Sequence, residues 1–214
     1  MPKERSEGDA GRRGDRAALA ALRRGLGKGV GEASEMYPYV VPALPRGIEG
    51  WGESCYYLIA ALFGLYPRPW PREARRANLG VSLRWLARNR ATERGEGGGN
   101  APAGADGEAG DGGTGQGQLD PAVERRFVAL LNATPDGFPE HLRYAVTLLR
   151  AHDIPVDWAQ LLYDAQGWGR DERWVQRAWA SAFWTSGAHD DERIVGGETA
   201  GAGVDDAAGS TDDN

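Results

Sequence analysis

The side chains of this sequence whose type and spacing suggest chemistry are its arginines. Arg84 and Arg88 are four apart, Arg143, Thr147 and Arg150 follow at i, i+4 and i+7, and Arg173 and Arg177 are four apart with Arg170 just ahead. Arg125 and Arg126 open another segment, and Arg23, Arg24 and Lys28 close an early one. On α-helices these intervals put cations on one face, and several such faces suit a polyanion backbone running over a surface. The same spacing also describes the solvated side of any amphipathic helix, with Glu140 near Arg143 and Asp171 near Arg173 as pairing partners. Both readings stand at this point.

Other chemistries find little support. His141, His152 and His189 are scattered, without a second His or Cys at metal-ligand spacing, so no metal site or cofactor is expected. The lone cysteine, Cys55, lies in the apolar run 55–63 and reads as a buried structural thiol; with one cysteine there is no intramolecular disulfide. Carboxylates recur at Asp153, Asp157, Asp164, Asp171 and Glu172, but Asp157 and Asp171 read as helix caps and Asp153 as part of the turn before Pro155. The glycines Gly25, Gly27, Gly29 and Gly31 match neither phosphate-loop pattern and follow a helix rather than a strand, which favours a helix end and turn. An enzyme is disfavoured. A hydrolase built on Asp164 is the most distant alternative.

The elements that must carry these arginines are helical, because apolar residues recur at helical intervals and sustained alternation is missing. Leu19, Leu22 and Leu26 form one stripe, a second helix is expected over Glu32–Val40, and a third, apolar nearly all round, over Trp51–Leu65. Pro67, Pro69 and Pro71 demand an extended connector before a fourth helix with Val81, Trp85 and Leu86. Asp120-Pro121 is an N-cap followed by proline, and the helix it starts turns Val123, Phe127, Leu130 and Leu131 inward. The turn 134–137 leads to a helix with Leu142, Val146 and Leu149 inward. Asp157 starts a short helix, and a last one, from about Asp171 to Trp184, places Val175, Ala178, Trp179 and Ala182 on one side.

The fold class expected is all-α: two small helical-bundle lobes, residues 14–90 and 119–186, joined by a flexible Gly/acidic insertion. Segments 91–118 and 187–214 hold 17 of the 32 glycines and have too few apolar side chains to offset ordering, so they are read, with the leader 1–13, as a disordered linker, tail and leader. Charge is unevenly spread. The chain is −6 overall, but linker and tail carry −4 and −7, the leader +1, and the two foldable blocks +6 and −2. A cationic surface is therefore compatible with an acidic chain. The apolar run at 55–63 is too short to span a membrane and Met1–Arg16 lacks the apolar core of a signal peptide, so a cytoplasmic location without membrane contact is expected.

Ordered strings along the chain carry a resemblance. Leu22-Arg23-Arg24-Gly25, Leu79-Gly80-Val81-Ser82-Leu83-Arg84-Trp85-Leu86-Ala87, Glu124-Arg125-Arg126-Phe127-Val128-Ala129-Leu130-Leu131, His141-Leu142-Arg143, Val156-Asp157-Trp158 and Gly167-Trp168-Gly169-Arg170-Asp171-Glu172-Arg173 follow one another in that order. With the apolar central helix among them, the sequence resembles the CasB family, the small subunit of the type I-E CRISPR Cascade complex. The match runs from about Arg16 to Trp184, the insertion excluded.

The resemblance implies an all-helical, two-lobed, non-catalytic protein that associates as paired copies in an RNA-guided antiviral complex. It implies contact with the CRISPR RNA-bearing backbone subunits and the large subunit, and stabilisation of the unwound target DNA through basic residues. Base pairing reads sequence in such complexes, so the protein need only hold backbone. Arg24, Arg84, Arg126, Arg143 and Arg170 are the implied DNA-facing positions, followed by Arg23, Arg125, Arg150, Arg173 and Arg177. Asp171 stands where relatives often carry a base, and the acidic insertion has no counterpart role. A linker kept off DNA by repulsion is one reading of it. Among Trp158, Trp168, Trp174, Trp179 and Trp184, Trp179 reads as core, while Trp174 and Trp184 stay open as stacking surfaces. The rival reading is a helical adaptor whose arginine faces bind acidic protein partners.

Overall fold

The computed structural model describes residues 14–71, 74, 76–97 and 119–185; the expected leader 1–13, most of the expected linker (98–118) and the expected tail 187–214 lie outside the described residues. Among those described, helix α1 covers 14–23, α2 Tyr37–Val40, α3 Trp51–Leu65, α4 Leu79–Gly97, α5 Pro121–Leu131, α6 Phe138–Ala151, α7 Trp158–Gln166 and α8 Trp174–Thr185. Extended backbone pairs once among them, in a parallel bridge between Pro69 and Val156 that seats the proline connector.

The start signals act as the sequence predicts. Asp120 accepts from the Ala122 and Val123 amides with Pro121 in the first turn of α5, and Asp157 accepts from the Gln160 amide to open α7. Two boundaries differ. The helix expected over Glu32–Val40 is reduced to α2 between 3-10 turns at Ser34–Met36 and Val41–Ala43, because Pro38 and Pro42 offer no amide for an i to i−4 bond. Helix α8 begins at Trp174 and not at Asp171, since Arg173 takes a left-handed conformation (φ 48°) just before it. Its buried stripe is Val175, Trp179 and Phe183, which leaves Ala178 exposed instead of inward.

Two clusters of buried side chains result. The larger takes Cys55, Ile59 and Leu62 from α3, Leu83 and Leu86 from α4, and then Phe127, Phe138, Val146, Leu161, Trp179 and Phe183 from the four later helices. It therefore draws on residues before and after 98–118. The smaller joins Leu22, Ala33, Met36 and Val40 to Tyr57 and Ala61 on the other side of α3. Close backbone approach fixes both. A Cβ on Gly64 would lie 2.8 Å from the Leu22 Cβ and 2.9 Å from the Arg23 amide, so α1 rests directly on α3 there. A Cβ on Gly80 would lie 2.3 Å from the Trp179 carbonyl, where α4 crosses α8.

Helix α4 extends to Gly97, past the boundary at residue 90 that composition suggests. Asp120 explains the extension. Its fully buried carboxylate meets Arg90 Nε at 3.0 Å and Arg94 Nη1 at 2.9 Å, and its amide donates to the Ala87 carbonyl at 2.9 Å. Burial opposes the charge of Asp120, but the Ala122 amide, Arg90, Arg94 and the Val123 amide prevail and hold the carboxyl below the ordinary aspartate value. Cys55 is buried as expected, and desolvation pushes its thiol up to about 12.

Candidate nucleic-acid interface

The outward array begins on the α5–α6 hairpin. Arg125 and Arg126 are exposed on α5, with Arg126 Nη1 donating to the Ala122 carbonyl of its own helix at 3.2 Å. On α6, Arg150 is exposed and Arg143 half-buried. The Arg143 guanidinium lies 5.6 Å from the centre of the Tyr144 ring and beside Gly27, in the turn after α1. Glu140 is not paired with Arg143; it accepts from the Tyr144 hydroxyl at 3.1 Å. None of these four arginines forms an ion pair among the described residues.

The other candidates lie apart or are engaged in the fold. At the end of α1, Arg23 donates to the Leu19 carbonyl and Arg24 pairs with Glu35 at 3.0 Å, both at the surface. Arg84 is half-buried between α4 and α8, where its Nη1 donates to the Phe183 carbonyl at 2.8 Å. Arg170 and Arg177 are exposed near the α7–α8 junction. Arg173 reaches the Leu131 carbonyl at 2.6 Å, closing the end of α5 rather than pairing with Asp171, which is an exposed turn residue and no cap.

Between α5 and α6 the structure adds a feature that sequence reading missed, a cavity of about 400 Å³. Leu83, Val123, Phe127, Leu130 and Leu148 form its floor, Ala129, Ala145 and Ala151 keep its walls low, and Arg126, His141, Tyr144 and Thr147 supply its polar atoms. Tyr144, 56% exposed, stands at its rim. The signal was available in part: positions 141, 144, 145, 148 and 151 follow helical spacing along one flank of α6, but small residues on a flank do not announce a gap.

The remaining candidates for chemistry are accounted for by structure. Asp164 is buried, and both its oxygens accept, from Trp179 Nε1 at 2.7 Å and Gln160 Nε2 at 2.8 Å. Burial pushes its carboxyl up, partly offset by those two donors. Asp153 pairs with Arg68 and accepts from the Tyr66 hydroxyl. Trp158, Trp168 and Trp51 each donate to a backbone carbonyl on another segment, so the indoles act as struts, Trp51 between α3 and α7 and the other two onto the connecting turns. Trp184 is half-buried against Phe127 and Phe183 with its Nε1 on Glu124, and Trp174 packs beside Tyr163. Among the described residues no three His, Cys, Asp or Glu gather as a metal site, and no helix is long and apolar enough to cross a membrane.

Fold and surface together define a class: an all-helical protein with indole-braced helices and an arginine-bearing hairpin on the outside. Comparison with known proteins narrows the class. The CRISPR-associated protein Cse2 family matches residues 18–184, and the chain belongs to that family. The CRISPR-associated protein Cse2 of Thermus thermophilus is 30% identical over 180 residues, spanning 83% of this chain and 84% of its own. A crystal structure of a Cse2-family protein from that organism superposes with a TM-score of 0.58 at 29% identity, covering 79% of this chain and 86% of the other. A chain of a CRISPR RNA-guided surveillance complex superposes with a TM-score of 0.54 at 27% identity, covering 84% and 86%.

Proposed function

We propose that this chain is the non-catalytic small subunit of a type I-E Cascade complex, where it holds nucleic-acid backbone without reading sequence and so stabilises the unwound target DNA. Arg125, Arg126 and Arg150, exposed, and Arg143, half-buried, on two adjoining helices and without an ion pair among the described residues, are the observation that carries the reading. Four guanidinium groups on one hairpin match a run of phosphates, and such contacts need no base-reading group when a guide RNA supplies sequence recognition. Arg23, Arg170 and Arg177 are exposed cations apart from the hairpin, Arg24 is held by Glu35, and Arg84 and Arg173 act mainly on helix packing. Membership in a family with a relative solved within a CRISPR RNA-guided surveillance complex supports the setting. The implied partners are the CRISPR RNA-bearing backbone subunits, the large subunit and a second copy of the chain.

Two measurements test the reading. The full chain expressed with the other subunits is expected to co-purify with them and with CRISPR RNA. Its DNA affinity is expected to fall steeply and linearly in log–log form as salt rises. A flat salt response, or purification free of the other subunits, overturns it.

A further inference from the structure

The cavity between α5 and α6 joins an apolar floor to one arginine on its wall, Arg126, and a second, Arg143, lies outside the lining but beside the ring of its rim tyrosine. Alanines at 129, 145 and 151 leave it open where larger side chains would close it. Tyr144 stands at the edge, more than half exposed, its hydroxyl held by Glu140 and its ring neighboured by Arg143. Arg126 lines the opposite wall from α5. A purely apolar partner side chain would fill the floor and gain nothing from two guanidinium groups. A nucleotide uses both parts, since its base is a flat apolar face with polar edges and its flanking phosphates are anions.

We propose that this groove receives one unstacked base of a single strand, stacked against Tyr144, while Arg126 and Arg143 take the phosphates on either side. At the base edge His141 offers a ring nitrogen, and Thr147, whose hydroxyl already donates to the Arg143 carbonyl at 2.8 Å, can only accept, so neither demands one base over another. The inference deepens the backbone-holding function proposed above and rests on it. It adds a contact with the base itself, one that depends little on salt, to a surface otherwise governed by charge.

The test compares a thymidine oligonucleotide with an abasic strand of equal length and charge, using the full chain. Wild type is expected to bind the thymidine strand about tenfold more tightly, the scale of one stacked base. Ala145→Leu, which fills the groove, and Tyr144→Ala, which removes the exposed ring without touching the core, are each expected to erase that preference while leaving the salt slope unchanged. Circular dichroism checks that both variants fold, and the surface variant carries the test if the filled one does not. Equal binding of the two strands by wild type overturns the inference and assigns the groove to a protein side chain instead, with backbone binding intact. A preference that survives Tyr144→Ala moves the stacking site elsewhere and likewise overturns it. Absence of binding to either strand removes the underlying function as well.

Discussion

Arg84, Arg90 and Arg94 recur along α4 much as Arg143 and Arg150 do along α6, yet their guanidinium groups end in different surroundings. On α4 they meet the Phe183 carbonyl and the buried carboxylate of Asp120, so they fasten one helix to another. On the α5–α6 hairpin the arginines meet their own helix, a tyrosine ring or solvent. Spacing puts cations on a face. What that face packs against decides whether the charge is used inside the fold or outside it.

The contrast can be broken from either side. Reversing three charges outside, Arg125→Glu, Arg126→Glu and Arg143→Glu together, is expected to weaken DNA binding roughly a hundredfold or more at about 0.1 M salt and to lower the salt slope by about three, with the melting temperature nearly unchanged. Filter binding across a salt series, with thermal melting alongside, reads both. Asp120→Ala works on the inside: it removes the α5 cap and strands Arg90 and Arg94, a loss of roughly 3 kcal/mol by urea unfolding. Arg84→Ala is milder, costing about 1–2 kcal/mol for the lost bond at the end of α8, and should leave the salt slope of DNA binding where it was. Were Arg84→Ala to lower that slope by one, Arg84 would belong with the outward set.

The smallest effect is in pH. Because the folded state holds Asp120 below its ordinary value, its contribution is present above the unfolded value and is lost as pH falls from about 4 through the folded one. Asp164, raised by burial, works in the opposite sense: its stabilising share is complete below the unfolded value and is lost as pH rises through the folded one. Unfolding of Asp120→Asn across acid pH should therefore show a shallower fall than wild type.

Much of the fold was legible because local signals decide it. Asp120-Pro121 and Asp157 name their own helices, and the stripes Leu142, Val146, Leu149 and Val123, Phe127, Leu130 are buried as their spacing requires. Tertiary geometry was not legible. Arg84 shares the spacing of an exposed residue, and only the crossing of α8 over α4 turns it inward. Ala178 is apolar yet exposed because Phe183, five residues on, takes the inward direction. The Arg143–Glu140 and Arg173–Asp171 pairs anticipated from proximity are not formed, since Tyr144 and the Leu131 carbonyl compete for the same groups. Of the candidate interface, the arginines could be read from sequence, while the groove between them is a gap and depends on two helices at once.

Asp120 also has a topological consequence. By binding Ala87, Arg90 and Arg94 it returns the chain to α4 at a fixed point, so the stretch between Gly97 and Leu119 begins and ends on elements already fastened together. The entropy of closing such a stretch grows only with the logarithm of its length, about 0.6 kcal/mol for each doubling. One carboxylate thereby fixes both where the chain leaves α4 and where it comes back to it.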